Sequence, residues 1–249
     1  CRSLPPFFNH KHRIVWSKVE LVKNIKEIQH TAVRNMLNHF KIKNGLEIHY
    51  DGDLPARSGM GSSSCFVVGL MNTINVLKKK RLSKKDLAKN SIYFEQKVLG
   101  ETVGSQDQIA SSYGGFNNIK FFPGGKFQVC PVKLSKKNIY KLNKNLILLY
   151  TGIKRTAHRI ANTYVGKLNR EKKNEIIKIL DFVKESKRIL KEGSFDDFGK
   201  LLHESWLTKK NLSKKMSNSS IDEIYELALK KGALGGKILG AGGGGFFLI

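Results

Sequence analysis

The sequence predicts an α+β or mixed α/β protein with strands early and helices late, and three observations carry that expectation. First, Leu46-Glu47-Ile48-His49-Tyr50 alternates apolar with polar, the two-residue period of a half-buried strand. Second, a glycine- and serine-rich bend over 58–64 leads into Cys65 to Leu77, which is apolar on most faces and suits a buried helix packed on a sheet. Third, residues from about 155 to 231 fall into three helical patterns separated by Glu192-Gly193-Ser194 and Ser217-Asn218-Ser219-Ser220.

The other elements follow in chain order. Between Lys18 and Phe40, apolar residues at Val19, Val22, Ile25, Ile28, Ala32, Val33, Met36, Leu37 and Phe40 have the three-and-four spacing of one helical face, so an amphipathic helix is expected there, ending near Asn44-Gly45. A loop is expected at 51–55, after the strand. Lys84 to Leu99 reads as a helix with Leu87, Ala88, Ile92 and Val98 on its apolar stripe. Between Gly114 and Val132, aromatic and β-branched residues around Pro123-Gly124-Gly125 predict a hairpin. Leu146 to Tyr150 reads as a central strand, and strand-forming residues return from Gly235 to Ile249.

Composition narrows the classes. At 249 residues the chain fits one large domain or two intimate halves. With 40% hydrophobic and 26% charged residues, neither wholesale disorder nor a fibre is expected. No apolar run approaches the roughly 18 residues of a spanning helix, so no membrane partner is expected. Cys1, Cys65 and Cys130 form no CxxC pair, and the opening Cys1-Arg2-Ser3-Leu4-Pro5-Pro6 has no apolar signal-peptide core, which places the expectation in a reducing cytoplasm. Lys+Arg number 45 against 20 Asp+Glu, a net charge of +25. That charge raises the question of nucleic acid, yet the lysines are scattered over amphipathic segments, so the reading is a solvated, compositionally biased surface, with anionic ligands as the alternative, phosphorylated metabolites first and nucleic acid second.

Three stretches carry chemistry. The first is Pro55-Ala56-Arg57-Ser58-Gly59-Met60-Gly61-Ser62-Ser63-Ser64, between a strand and an apolar helix. Glycines allow close backbone approach, and the following helix offers its N–H groups and positive end, so a phosphate is the natural guest. It is not a Walker A loop, because no Gly-Lys-Ser/Thr closes it. The second runs from Glu95 to Gly104-Ser105-Gln106-Asp107-Gln108, with two carboxylates twelve positions apart across a glycine-containing bend. If both reach the phosphate loop, one can hold Mg²⁺ and the other can accept a proton from a hydroxyl nucleophile. The third is Lys237-Ile238-Leu239-Gly240-Ala241-Gly242-Gly243-Gly244-Gly245-Phe246-Phe247, where four glycines within a strand-forming segment imply close approach to a ligand or to another loop. Cys65 reads as core filler, and His203 as a packing or surface residue.

In this order the three stretches resemble the GHMP kinase superfamily, whose Pro-x-x-x-Gly-x-Gly-Ser-Ser nucleotide loop is matched at 55–63 and whose glycine-rich C-terminal motif is matched at 239–245. Within it the chain looks most like the D-glycero-D-manno-heptose 7-phosphate kinases, through Gly104-Ser105-Gln106-Asp107-Gln108, Tyr113-Gly114-Gly115-Phe116-Asn117, Tyr150-Thr151-Gly152-Ile153, Leu201-Leu202-His203-Glu204-Ser205-Trp206 and Gly232-Ala233-Leu234-Gly235-Gly236-Lys237. The resemblance implies an α+β, GHMP kinase-like two-domain fold: an N-terminal ATP-binding domain over 1–140 of the ribosomal protein S5 domain 2 type, and a ferredoxin-like C-terminal domain over 141–249. It implies ATP and Mg²⁺ as cofactors, with Pro55, Arg57, Ser58, Gly59, Met60, Gly61, Ser62, Ser63, Ser64, Gly242, Gly243 and Gly244 around the nucleotide. Ser63 and Glu95 would hold the metal, and Asp107 would serve as base or orienter. The family's first motif has no counterpart, and the chain stops within strand-forming residues, so a longer protein truncated at both ends is expected. The implied reaction is phosphorylation of a small-molecule sugar phosphate, heptose 7-phosphate at its anomeric hydroxyl, for nucleotide-activated heptose and surface polysaccharide. Another acceptor, a non-catalytic ligand-binding relative and a basic RNA-binding module are the alternatives, although no RNA-binding motif is present and no specific nucleic-acid partner is expected. The sequence is compatible with a homo-oligomer.

Overall fold

The computed structural model describes residues 1–54, 58–154, 160–168 and 171–249, in two compact units: Cys1–Pro55 with Ser63–Gly114, and Ala56–Ser62 with Gly115–Ile249. The hairpin region expected from the sequence thus groups with the C-terminal residues.

In the first unit, β1 (Arg2–Ser3), β2 (His12–Val15), β3 (Val19–Val22) and β4 (Leu46–His49) form one sheet in the order β1-β4-β2-β3. Strands β2 and β4 are parallel, joined through α1 (Thr31–His39), and the other pairs are antiparallel. Ile14, Leu46 and Ile48 meet Val33, Met36 and Leu37 of α1, and Val67, Leu70, Met71 and Ile74 of α2 (Ser62–Leu77), in one buried apolar cluster. Two further helices complete the unit, α3 (Lys84–Tyr93) and α4 (Gln106–Tyr113).

The helix expected over 18–40 forms only in its second half. Val19–Val22 instead pairs with His12–Val15 as a hairpin, and Glu20 turns inward. There its carboxylate accepts the Trp16 indole N–H at 2.8 Å and the backbone N–H groups of Gln29 at 2.5 Å and His30 at 3.2 Å. A buried carboxylate needs donors, and this turn supplies three. Val19, Val22 and Ile25 are β-branched strand formers as well as residues at helical spacing, so pattern alone did not separate the two states. Strand β4 also departs from simple alternation. Glu47 is buried with its neighbours because Arg2, Arg13 and His49 close over it.

The second unit begins with the expected hairpin, β5 (Asn117–Phe122) and β6 (Lys126–Pro131), joined through 123–125. A short helix α5 (Lys136–Lys144) follows, which the lysine-rich sequence did not reveal. The three late helices are α6 (Lys173–Glu192), α7 (Phe195–Lys210) and α8 (Ser219–Lys230). The separators fall where the sequence put them, Gly193 ending α6 with its N–H on Ile189 O at 2.9 Å and the Asn218 side chain capping α8 at the Ile221 N–H, but the first of these helices begins only at Lys173, not near 155, and the second ends at Lys210. The segment 146–150, expected as a central strand, contributes β7 (Leu148–Tyr150) to an antiparallel sheet of order β7-β9-β8. The middle strand is β9 (Phe246–Leu248), and β8 is Lys237–Ile238. Phe247 packs there with Trp206, Ile221, Tyr225 and Ile238. No described helix is long and apolar enough to cross a membrane.

Candidate active site

Of the expected phosphate loop, Pro55 and Arg57 lie outside the described residues. Ser58 is fully buried, Met60 is half-buried, and Gly59 and Gly61 take positive φ values of 87° and 73°. The chain passes from them directly into the N-terminus of α2, whose first residues are Ser62, Ser63 and Ser64. A glycine bend is thus followed by the positive end of a helix, whose first-turn N–H groups have no partner within the helix.

One turn of helix separates the fates of the three serines. Ser62 is half-buried and Ser63 is exposed, while Ser64 is buried against Glu95. The Ser64 hydroxyl lies 3.1 Å from Glu95 Oε1 and 2.9 Å from Oε2. The serine that hydrogen-bonds the acidic residue is therefore Ser64, while Ser63, expected to hold the metal with Glu95, is exposed. Glu95 is presented by a π-turn, Phe94–Val98, that continues α3, with the Leu99 N–H on Phe94 O at 2.9 Å. Such a turn inserts one residue into the helical register and re-aims the side chains that follow it.

Gln108, also fully buried, donates its Nε2–H to Glu95 Oε2, while its Oε1 is buried without a partner among the described residues. Burial is the largest influence on Glu95 and raises its carboxyl above the ordinary range; the hydrogen bonds from Gln108 and Ser64 oppose it, and the charges of Glu101 and Asp107 add to it. Asp107 precedes Gln108 in the first turn of α4. Its side chain is on the exposed side, and its carbonyl accepts the Ser111 hydroxyl at 2.8 Å. Cys65, expected in the core, is exposed, with its sulfur 3.0 Å from Ser111 Oγ. His203 is held by Tyr225, Nδ1 to hydroxyl 2.7 Å.

The glycine run approaches other parts of its own unit. A Cβ on Gly242 would lie 2.6 Å from Met216 Sδ, one on Gly243 3.0 Å from Ile160 Cδ1, and one on Gly244 2.8 Å from Ile153. At Gly245 a Cβ would lie 2.6 Å from the Ser58 carbonyl carbon and closer still to its oxygen. The backbone of this strap is tied down by Gly243 N–H to Met216 O at 2.8 Å, Gly245 N–H to Ile153 O at 2.9 Å and Phe246 N–H to Ser58 O at 3.1 Å. Gln108 is the functional candidate that residue-type reasoning passed over. Its signal lay in the quoted Gln106-Asp107-Gln108 triplet, where a helix rotates adjacent residues by about 100° and sends Gln108 inward while Asp107 faces out.

The donor set fits a hard divalent cation shared with phosphate. Among the described residues no group of three or more His, Cys, Asp or Glu could hold a metal alone. Glu95 offers one carboxylate with only neutral hydrogen-bond partners, and Mg²⁺ is commonly bound by one or two carboxylates together with substrate phosphates.

Comparison with known proteins places the chain in a family. The GHMP kinases N terminal domain matches residues 18–115, and the GHMP kinases C terminal domain matches 186–249. D-glycero-alpha-D-manno-heptose 7-phosphate kinase of Campylobacter jejuni is 34% identical over 204 residues, 81% of this chain and 60% of that protein. A galactokinase of Pyrococcus furiosus is 28% identical over 232 residues, 81% of this chain and 63% of the relative. The chain thus spans less than two thirds of the length of either. The crystal structure of a D-glycero-D-manno-heptose 1-phosphate kinase from Bacteroides thetaiotaomicron superposes with a TM-score of 0.72 at 21% identity, covering 97% of this chain and 73% of that one. With both family domains matched in order, and with the fold shared, the chain belongs to the GHMP kinases.

Proposed function

We propose that this chain forms the nucleotide- and metal-binding part of an ATP- and Mg²⁺-dependent kinase that phosphorylates a sugar phosphate, D-glycero-D-manno-heptose 7-phosphate at its anomeric hydroxyl. The observation that carries the reading is the fully buried Glu95, held by Ser64 and Gln108 at the head of the helix that follows the glycine loop. The likeness to the Campylobacter heptose 7-phosphate kinase supports the acceptor.

In this reading the 58–64 backbone and the N-terminus of α2 hold the nucleotide phosphates, with Gly245 and Phe246 bracing that loop at Ser58 and Gly242 to Gly244 packing the strap against Met216, Ile160 and Ile153. Glu95, with a serine hydroxyl from the start of α2, would hold Mg²⁺, whose contribution when bound would be neutralisation of phosphate charge. Asp107 accepts the proton of the attacking hydroxyl as its oxygen bonds to the γ-phosphorus and the bond to the β,γ-bridging oxygen breaks, releasing ADP. Transfer of this kind asks for positioning and charge stabilisation more than for covalent help. Surface polysaccharide precursors and a cytoplasmic setting are the context this reaction would serve.

The test is ADP release from Mg-ATP by the intact protein with heptose 7-phosphate, galactose, fucose, mevalonate and homoserine in parallel. Turnover confined to the heptose phosphate, lowered about 10²- to 10⁴-fold by Asp107→Asn, is the expected result. Turnover on a different acceptor replaces the substrate and keeps the mechanism. Full activity in Asp107→Asn removes Asp107 from the proton path.

A further inference from the structure

Gln108 has no assigned task in the reaction above, yet it is fully buried and spends its amide N–H on a carboxylate. Three facts about it point the same way. Its partner, Glu95, receives hydrogen bonds only from neutral side chains, Ser64 and Gln108, among the described residues. Its own Oε1 is buried without a partner among the described residues, an arrangement that works against stability and that a purely structural residue would not need. It also stands next to Asp107 in the first turn of α4, so one side chain links the helix carrying the proposed base to the proposed metal carboxylate.

The chemistry of an amide accounts for these facts together. A lysine or arginine at this position would neutralise Glu95 and compete with a divalent cation for it. A second carboxylate would repel the first or force the two to share a proton. An aliphatic side chain would leave the Glu95 oxygens to rotate. A glutamine fixes the carboxylate plane through a directed hydrogen bond and adds no net charge, leaving the full negative charge for a metal.

We propose that Gln108 is a positioning residue of the metal–nucleotide site, orienting Glu95 and keeping its charge available to the divalent cation. The proposal rests on the kinase reading and deepens it. Residues that orient a metal-binding carboxylate through hydrogen bonds typically contribute about 10- to 100-fold to metal affinity.

The experiment uses the intact protein with Gln108→Leu and Gln108→Lys, and three readouts: binding of a fluorescent ATP analogue in EDTA, affinity of the protein–nucleotide complex for Mn²⁺ by electron paramagnetic resonance, and thermal melting. The expected result is nucleotide binding in EDTA within about twofold of wild type and Mn²⁺ affinity lowered about 10- to 100-fold in Gln108→Leu. In Gln108→Lys the Mn²⁺ site is lost while the melting temperature is kept or raised, because the new ion pair satisfies Glu95. A merely structural glutamine gives the opposite pattern, with lowered melting temperatures and unchanged Mn²⁺ affinity in whichever variant folds, and that result overturns the proposal. Failure of the wild-type protein to bind nucleotide in any form overturns the kinase reading itself, and this inference with it.

Discussion

Gly245→Ala tests whether the glycine strap holds the phosphate loop in place. The new methyl group would lie 2.6 Å from the Ser58 carbonyl carbon, where 3.0 Å is the closest that real Cβ atoms come, and its contact with the carbonyl oxygen is tighter still. Both atoms are backbone, so no side chain can swing aside, and Ser58 has to retreat by on the order of 1 Å in a close-packed setting. The residue also sits at φ 94°, where a Cβ adds about 1–2 kcal/mol of strain. Loss of the Phe246 N–H to Ser58 O bond removes about 1 kcal/mol, and overpacking adds about 1–3 kcal/mol. The expected destabilisation is about 4 kcal/mol, read as a fall in the urea midpoint at constant slope. Where the variant remains folded, a phosphate loop displaced by about 1 Å lowers turnover on the order of 10²-fold. The control is Gly69→Ala within α2, where a Cβ meets nothing within 4 Å; it is expected to stabilise the protein by about 0.5–1 kcal/mol. A Gly245→Ala protein as stable and as active as wild type would show that the strap and the loop move independently.

Two further outcomes follow from the first unit. His12 and His30 each accept a backbone N–H at Nδ1, from Leu46 at 3.3 Å and Val33 at 3.4 Å, and burial, the larger cause in both, pushes their imidazoles below the ordinary value of 6.5. The unfolded chain therefore takes up protons first as pH falls through 6.5, and stability present above that pH is lost toward the lower folded-state values; denaturant midpoints from pH 8 to pH 5 should fall, with a shallower fall in His30→Ser, which keeps a capping oxygen without a titrating ring. Deleting the exposed Lys97 from the π-turn should restore an ordinary helical register and shift the chain after Glu95 by one residue, leaving circular dichroism near wild type while reducing turnover on the order of 10²-fold; undiminished turnover would deny the π-turn a part in aiming Glu95.

The late helices, the β5–β6 hairpin and α2 were legible because each announces itself locally, through Gly193, Asn218, Pro123 and an apolar run longer than a strand. The segment 18–30 was not, because its strand identity is set by partners far away in sequence: His12–Val15 to pair with, and the N–H groups of Gln29 and His30 for Glu20 to cap. Alternation in β4 misled in the same way, since Glu47 looks solvent-facing until Arg2 and Arg13 are brought over it. At the site, the carboxylates could be nominated from residue type and spacing. Which serine faces Glu95 could not, because a single residue turns the helix by about 100° and the π-turn changes the phase of α3 relative to the chain after it.

The three buried glutamates of the first unit show how differently one residue type is treated. Glu47 is surrounded by Arg2, Arg13 and His49; the hydrogen bonds from His49 and Arg2 hold its carboxyl below the ordinary range, so its charge is spent inside the sheet. Glu20 takes two backbone N–H groups and an indole N–H, and its charge organises the start of α1. Glu95 takes a hydroxyl and an amide, and its carboxyl is raised by burial. In a chain with 45 lysines and arginines against 20 acids, a basic partner is the commonest charged side chain available, so a buried carboxylate held only by neutral side chains runs against composition. In the proposed kinase reading, directed but uncharged donors leave the Glu95 carboxylate to a divalent cation beside the N-terminus of α2, where the helix end would favour the nucleotide phosphates.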